Sequence, residues 1–193
     1  DDERVYEALT AHGGKAMMTA KDHPTGTDRL AEVAAAHPEA ELIINVQGDE
    51  PLIEPALIDA LAAAFDDDPE LQMATVKSPM TDVEEMKNPN NVKVVTDKKG
   101  YALYFSRSLL PYPRENTGAV VYKHIGIYAY KRDFLLNYAK MAPTRLEQTE
   151  SLEQLRALEN GYKIKVIATD FHFVGVDTPE DLVEVNRLYQ ERL

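Results

Sequence analysis

Two aspartates have the residue type and setting to hold a divalent cation. Asp49 follows the short apolar run Leu42-Ile43-Ile44-Asn45-Val46 and lies within Gln47-Gly48-Asp49-Glu50-Pro51, and Asp177 directly precedes Thr178-Pro179-Glu180-Asp181. Both fall in turns after strands, so a sheet could bring them to one edge. A hard cation such as Mg²⁺ takes one or two carboxylates and fills its other positions with phosphate oxygens and water, so a wide separation in sequence is no obstacle. Spacing alone leaves a plainer reading open. Asp49 could order a tight turn, and Asp177 could assist the cap of the helix that follows it.

Positioning such a pair requires an α/β scaffold, in which ligands gather beyond the carboxyl ends of the strands. The run over 42–46 predicts a strand buried on both faces of a parallel sheet. Helices are expected over 1–12, with Val5 and Leu9 on one face and Gly13-Gly14 at its end, and over 27–37, with Leu30, Val33 and Ala34 aligned. A third is expected over 55–65 on the stripe Ile58, Leu61, Ala62 and Phe65, a helical turn over 83–86, and a long helix over 147–160 through Leu152, Leu155 and Leu158. Thr178-Pro179-Glu180-Asp181 opens a last one with an N-cap, a proline and acids in the first turn. Strands are expected over 15–19, 72–78, 123–130 and 163–169. Segments 92–96 and 101–105 flank Asp97-Lys98-Lys99-Gly100 as an antiparallel hairpin, and 110–119, with Pro111, Pro113 and Gly118, reads as a loop.

Composition bounds the function. The 193 residues, 44% hydrophobic and 28% charged, suit one α/β domain with a sizeable core. A net charge of −12 opposes binding to nucleic acid, whose affinity comes from cations that neutralise phosphates. An anionic small ligand would need a few placed cations, backbone amides or metal ions. No apolar run approaches the ~20 residues that span a bilayer, and the start Asp1-Asp2-Glu3-Arg4 lacks a basic-then-apolar signal pattern, so a soluble protein without membrane partners is expected. The absence of cysteine excludes disulfides and thiolate metal sites.

Six strings in order carry a resemblance over essentially the whole chain. They are Thr25-Gly26-Thr27-Asp28-Arg29-Leu30-Ala31-Glu32, Asn45-Val46-Gln47-Gly48-Asp49-Glu50-Pro51, Tyr101-Ala102-Leu103-Tyr104-Phe105-Ser106-Arg107, His124-Ile125-Gly126-Ile127-Tyr128, Leu152-Glu153-Gln154-Leu155-Arg156 and Gly175-Val176-Asp177-Thr178-Pro179-Glu180-Asp181-Leu182. Together they resemble the signature segments of the 3-deoxy-manno-octulosonate (Kdo) cytidylyltransferases, also called CMP-Kdo synthetases. The resemblance implies the three-layer α/β nucleotidyltransferase fold, Rossmann-like and of the nucleotide-diphospho-sugar transferase type. It also implies a small β-rich lobe over much of 91–130, around which a homodimer forms.

The same resemblance implies the chemistry. The anomeric hydroxyl of Kdo attacks the α-phosphorus of CTP and pyrophosphate leaves, in the cytoplasm, on the route to lipopolysaccharide. Asp49 and Asp177 bind Mg²⁺, Arg29 and Gln47 hold nucleotide, and Gln47, Arg107, His124, Tyr128, Glu153 and Gln154 grip the sugar acid. Without the resemblance these polar side chains read equally as a surface ion pair, strand residues facing a core and a solvated helix face. The strand and phosphate loop with which the family begins have no match, and Asp1-Asp2-Glu3-Arg4-Val5 aligns after the family's second strand. A sheet lacking that opening strand is expected to expose apolar neighbours such as the 42–46 run. Rival readings are a related enzyme for an amino-Kdo and a non-catalytic sugar- or nucleotide-binding form. A metal-dependent glycosyltransferase would call for an Asp-x-Asp motif that Gly48-Asp49-Glu50 does not supply.

Overall fold

A computed structural model describes residues 1–115, 117–171, 173, 175–176 and 178–191, and the chain divides into two compact units, residues 1–43 with 131–141 and residues 44–130 with 142–193.

In the first unit α1 (Glu3–Ala11) is capped by the Asp2 carboxylate, which accepts the Arg4 N–H at 2.9 Å. α2 (Gly26–Ala36) is capped by the Thr25 hydroxyl, which accepts the Asp28 N–H at 3.2 Å. α5 (Arg132–Tyr138) packs on α2, where Ala34 is buried and its carbonyl receives Nε of Arg132 at 2.9 Å. The strand expected over 15–19 does not form. Side chains of α2 hold the end of this stretch in place of a ladder. Arg29 donates to the Thr19 hydroxyl and the Ala20 carbonyl, and the Glu32 carboxylate receives the Ala20 N–H at 3.1 Å.

β1 (Leu42–Asn45) forms where its apolar run predicts, yet all four residues are half-buried and Val46 after them is 36% exposed. The expectation of a strand buried on both faces is corrected here, since that state needs packed cover over the whole of each side chain.

The second unit holds α3 (Pro55–Asp67), β2 (Met73–Met80), α4 (Val83–Lys87), β3 (Lys93–Thr96), β4 (Ala102–Ser106), β5 (Val121–Lys131), α6 (Arg145–Glu150), α7 (Gln154–Glu159), β6 (Ile164–Ala168) and α8 (Pro179–Glu191). Its strands run in the order β4-β3-β5-β2-β6, with β6 parallel to β2 and the other pairs antiparallel, so the sheet is mixed. β2 is the hydrophobic centre. Met73, Ala74 and Val76 are buried along with Ile164 and Val166 of β6, and each large apolar side chain removed from water contributes roughly 1.5–3 kcal/mol. On α3 the buried edge is Leu57, Leu61 and Ala64, flanked by half-buried Ile58, Ala62 and Phe65.

The β3–β4 hairpin forms where Asp97 to Gly100 predicts it. The Asp97 carboxylate receives the Lys99 and Tyr101 N–H groups, both at 2.8 Å, and Gly100 takes φ +81°, a conformation that costs glycine nothing. Its tip reaches β6, where the Val166 N–H donates to the Gly100 carbonyl at 2.8 Å. The strands of the 91–130 segment thus share one sheet with β2 and β6.

The single helix expected over 147–160 is two. α6 opens with a capping box between Thr144 and Glu147 and ends at Ser151, which is left-handed at φ 52°, ψ 50°; α7 then starts at Gln154. The physical reason lies in burial. Gln154, Leu155, Arg156 and Ala157 are four consecutive buried residues, which one apolar stripe on a straight helix cannot deliver.

Candidate functional site

Asp49 stands in the exposed turn after β1, where the Glu50 N–H donates to the Gln47 carbonyl at 3.2 Å. Its carboxylate has no hydrogen-bond or ion-pair partner among the described residues, so all its lone pairs can meet a cation. Its carbonyl accepts the N–H of Val176 at 2.9 Å, and a Cβ at Gly175 would lie 3.8 Å from that same oxygen and 3.9 Å from a Glu50 carboxylate oxygen. The backbone thereby pins the segment around Gly175-Val176 to the Asp49 turn. Asp177 itself lies outside the described residues. Gln47, in the same turn, is exposed.

The parallel neighbours β2 and β6 lead this segment to the turn. The Thr169 N–H donates to the Lys77 carbonyl at 2.9 Å, and the Ser78 hydroxyl donates to the Phe171 carbonyl at 3.2 Å. On the other flank of β2, Lys77 is paired with His124 of β5. Lys77 thus has the end of β6 on one flank and His124 on the other, toward the carboxyl end of β2, the region where sheets of this class bind ligands.

His124-Ile125-Gly126-Ile127-Tyr128 forms an irregularity in the β2–β5 ladder: Thr75 pairs with Tyr128 and the next residue, Val76, pairs with Ile125, so β5 carries extra residues. In a regular strand residues four apart are separated by about 13 Å. Here the His124 and Tyr128 rings come to 5.4 Å between centroids, and the Phe105 ring meets His124 edge-on at 5.0 Å. His124 is buried, and that burial pushes its imidazole down to about 3, so the ring is neutral at physiological pH. Thr75, whose hydroxyl lies 3.0 Å from His124 Nε2, escaped the motif reading; its only signal was a hydroxyl within the apolar stretch Met73-Ala74-Thr75-Val76.

Arg107 follows β4 and is fixed by the α6–α7 break. Its Nε donates to the Glu150 carbonyl at 2.7 Å, one terminal nitrogen to the Pro89 carbonyl at 3.1 Å and the other to the Ser151 carbonyl at 3.3 Å. Three of the guanidinium's five N–H groups are thus engaged by backbone, leaving two to turn outward. The Glu150 carboxylate receives the Ser106 hydroxyl at 2.6 Å and the Arg107 N–H at 2.9 Å. Lys93 is fully buried beside them and donates to the carbonyls of Asn88, Asn91 and Arg107 at 3.0, 2.6 and 2.5 Å. Burial holds its ammonium below the usual lysine range while Glu150 acts in the opposite sense.

Just beyond Ser151, Glu153 is half-buried with its carboxylate 3.5 Å from Arg156. Gln154 is buried, and its Nε2 has no hydrogen-bond partner among the described residues. A buried amide donor left unmatched costs about 1–3 kcal/mol, a cost that an incoming acceptor would relieve. Arg156 is committed elsewhere, to a buried bidentate pair with Glu147. Ring contacts thus join Tyr128, His124 and Phe105, and hydrogen bonds join Arg107 to Glu150 and Ser151. Arg29, in the first unit, spends its guanidinium on Thr19, Ala20 and the Asp1 carboxylate, the last at 2.6 Å. No group of three or more histidine, cysteine, aspartate or glutamate side chains gathers as a metal cluster among the described residues.

Comparison with known proteins identifies the family. The cytidylyltransferase family model matches residues 1–164. The 3-deoxy-manno-octulosonate cytidylyltransferase of Fusobacterium nucleatum is 55% identical over 191 residues, covering 99% of this chain and 78% of the relative; that of Geotalea daltonii is 51% identical, covering 100% and 80%. A solved CMP:2-keto-3-deoxy-manno-octonic acid synthetase complexed with CTP superposes with a TM-score of 0.94 at 46% identity, over 100% of this chain and 79% of that one. A 4-diphosphocytidyl-2C-methyl-D-erythritol synthase from Anaerococcus prevotii, 16% identical with a TM-score of 0.60, shares the fold. Identity above half over nearly all of this chain, the matching family model and the superposed synthetase place the chain in the 3-deoxy-manno-octulosonate cytidylyltransferase family.

Proposed function

We propose that the protein transfers CMP from CTP to Kdo and releases pyrophosphate, in the cytoplasm, as a step toward lipopolysaccharide. The observation that carries this reading is the Val176–Asp49 backbone bond, which ties the segment bearing the second aspartate to the first. Asp49 and Asp177 hold Mg²⁺, a role that fits the exposed, unpartnered Asp49 carboxylate. Bound there, the ion supplies charge neutralisation at the phosphates.

The protein's own part is to bind and orient. Gln47 serves the nucleotide and also reaches the sugar. The two free N–H groups of Arg107 meet the sugar carboxylate. His124, Tyr128, Glu153 and the unmatched Nε2 of Gln154 read its hydroxyls, and holding the anomeric hydroxyl in line with the α-phosphorus converts encounter into reaction. The exposed Leu103 on β4, the outermost strand of the sheet order, supports a homodimer built on the 91–130 segment.

Pyrophosphate release from CTP with Kdo and Mg²⁺ tests the assignment, with Asp49→Asn as the paired variant. Release that needs Kdo and is lost in Asp49→Asn supports it. Release only with the amino analogue moves the substrate to an amino-Kdo, and no release with either sugar overturns the transferase reading.

A further inference from the structure

His124 and Tyr128 stand on either side of the irregularity in β5, and the side chain that fills it comes from β2. The Thr75 hydroxyl oxygen lies 2.8 Å from the Ile127 carbonyl, 3.2 Å from the Ile125 carbonyl and 3.0 Å from His124 Nε2, and Thr75 is fully buried. A hydroxyl has one proton to give and two lone pairs to receive with, whereas carbonyl oxygens only receive. If the proton went to His124, two carbonyl oxygens would face hydroxyl lone pairs at hydrogen-bond distance with no proton between them. If it goes to the carbonyls, His124 must bring its own proton on Nε2. The second arrangement gives the proton to the Ile127 carbonyl, the nearer of the two, and pairs the imidazole N–H with a hydroxyl lone pair, whereas the first leaves both carbonyls facing lone pairs in a buried site, where each unmet contact costs about 1–3 kcal/mol.

We propose that Thr75 is a positioning residue for sugar recognition, fixing His124 in the Nε2–H tautomer so that unprotonated Nδ1 is presented as a hydrogen-bond acceptor. Nδ1 has no hydrogen-bond partner among the described residues. It therefore selects a ligand group that donates, a hydroxyl or an amine, and discriminates against a carbonyl or ether oxygen at the same place. The burial that keeps the ring neutral preserves this polarity across the working pH range. The inference rests on the reading that His124 faces the sugar acid.

Three arms test it. In protein labelled with ¹⁵N-histidine, the two ring nitrogens of His124 resonate far apart when one is protonated and the other is not, and the expected spectrum is Nε2–H with bare Nδ1. Thr75→Ser keeps the hydroxyl and should keep both the spectrum and the KM for Kdo. Thr75→Val keeps the shape and removes the hydroxyl; it should shift the spectrum and raise the KM for Kdo about tenfold, the scale of one misdirected hydrogen bond, with the KM for CTP unchanged. A wild-type spectrum showing Nδ1–H overturns the proposal even if Thr75→Val fails to fold, and so does a Thr75→Val enzyme with unaltered spectrum and KM. His124→Gln with an unaltered KM for Kdo sinks instead the reading that places His124 at the sugar, and the wild-type spectrum separates that failure from a wrong tautomer.

Discussion

The N–H of Val176 donates to the carbonyl of Asp49 at 2.9 Å, joining residues 127 positions apart through backbone alone. Side-chain chemistry at either position is spared by this arrangement. The Asp49 carboxylate stays available, because the bond uses only its carbonyl.

Replacing Val176 by proline removes that donor while Val176→Ala keeps it. Pyrophosphate-release assays should show kcat/KM lower by at least about tenfold in Val176→Pro and near wild type in Val176→Ala, the loss of roughly one hydrogen bond at a site that tolerates little displacement.

Ser151 takes a left-handed conformation at φ 52° between α6 and α7. Glycine is free of the Cβ penalty there, so Ser151→Gly should stabilise by about 0.5–1 kcal/mol, and Ser151→Val should destabilise by about 1–2 kcal/mol. Urea unfolding reads both. Because the Ser151 carbonyl also receives Arg107, Ser151→Val should additionally weaken sugar binding.

Glu147 and Arg156 form a buried bidentate pair whose carboxylate also accepts the Thr144 N–H at 2.8 Å. Burial pushes the Glu147 carboxyl up, but the bonds from Arg156 and Thr144 prevail and leave it below its ordinary 4.5. Its contribution is complete above that value and lost as pH falls below it, because the unfolded chain takes up the proton first. Glu147→Gln should cost about 3 kcal/mol at pH 7, and denaturation midpoints for the variant should change less than wild type on acidification below pH 4.5.

His124, although a base, destabilises on acidification in the same direction as Glu147. Its folded value is about 3 against an ordinary 6.5, so acidification across that window protonates the unfolded chain preferentially, and stability falls as pH drops from 6.5 toward 3. Unfolding midpoints should decline over this window in wild type and decline less in His124→Gln. The pH profile of kcat/KM between about 5 and 8 should carry no inflection from this ring.

Much of the scaffold was legible because periodicity and turn chemistry are local. α2, α3, the Asp97–Gly100 hairpin, β2 and β5 stand where apolar spacing and glycine predict them. The misses are places where distant groups decide. Residues 15–19 have strand-like composition but are held by Arg29 and Glu32 of α2. The helix expected over 147–160 breaks because residues 154–157 bury on all sides, which no single stripe announces. Among the candidate site residues, the motifs singled out His124, Arg107 and Gln154, but did not show how the register irregularity at Thr75 draws His124 to Tyr128, nor the backbone carbonyls that claim most of Arg107. Such features depend on cross-strand register, and a one-residue change of register alters every partner.

Lys93, walled in by three carbonyls, is also a clock. An amine that is fully buried and hydrogen-bonded cannot meet an acylating reagent, so its modification must wait until β3, the Asn88–Asn91 turn and the end of β4 separate. The rate at which this one amine becomes labelled, followed by mass spectrometry, would time how often the scaffold under Arg107 comes apart, and slowing by Kdo would show the ligand bracing it.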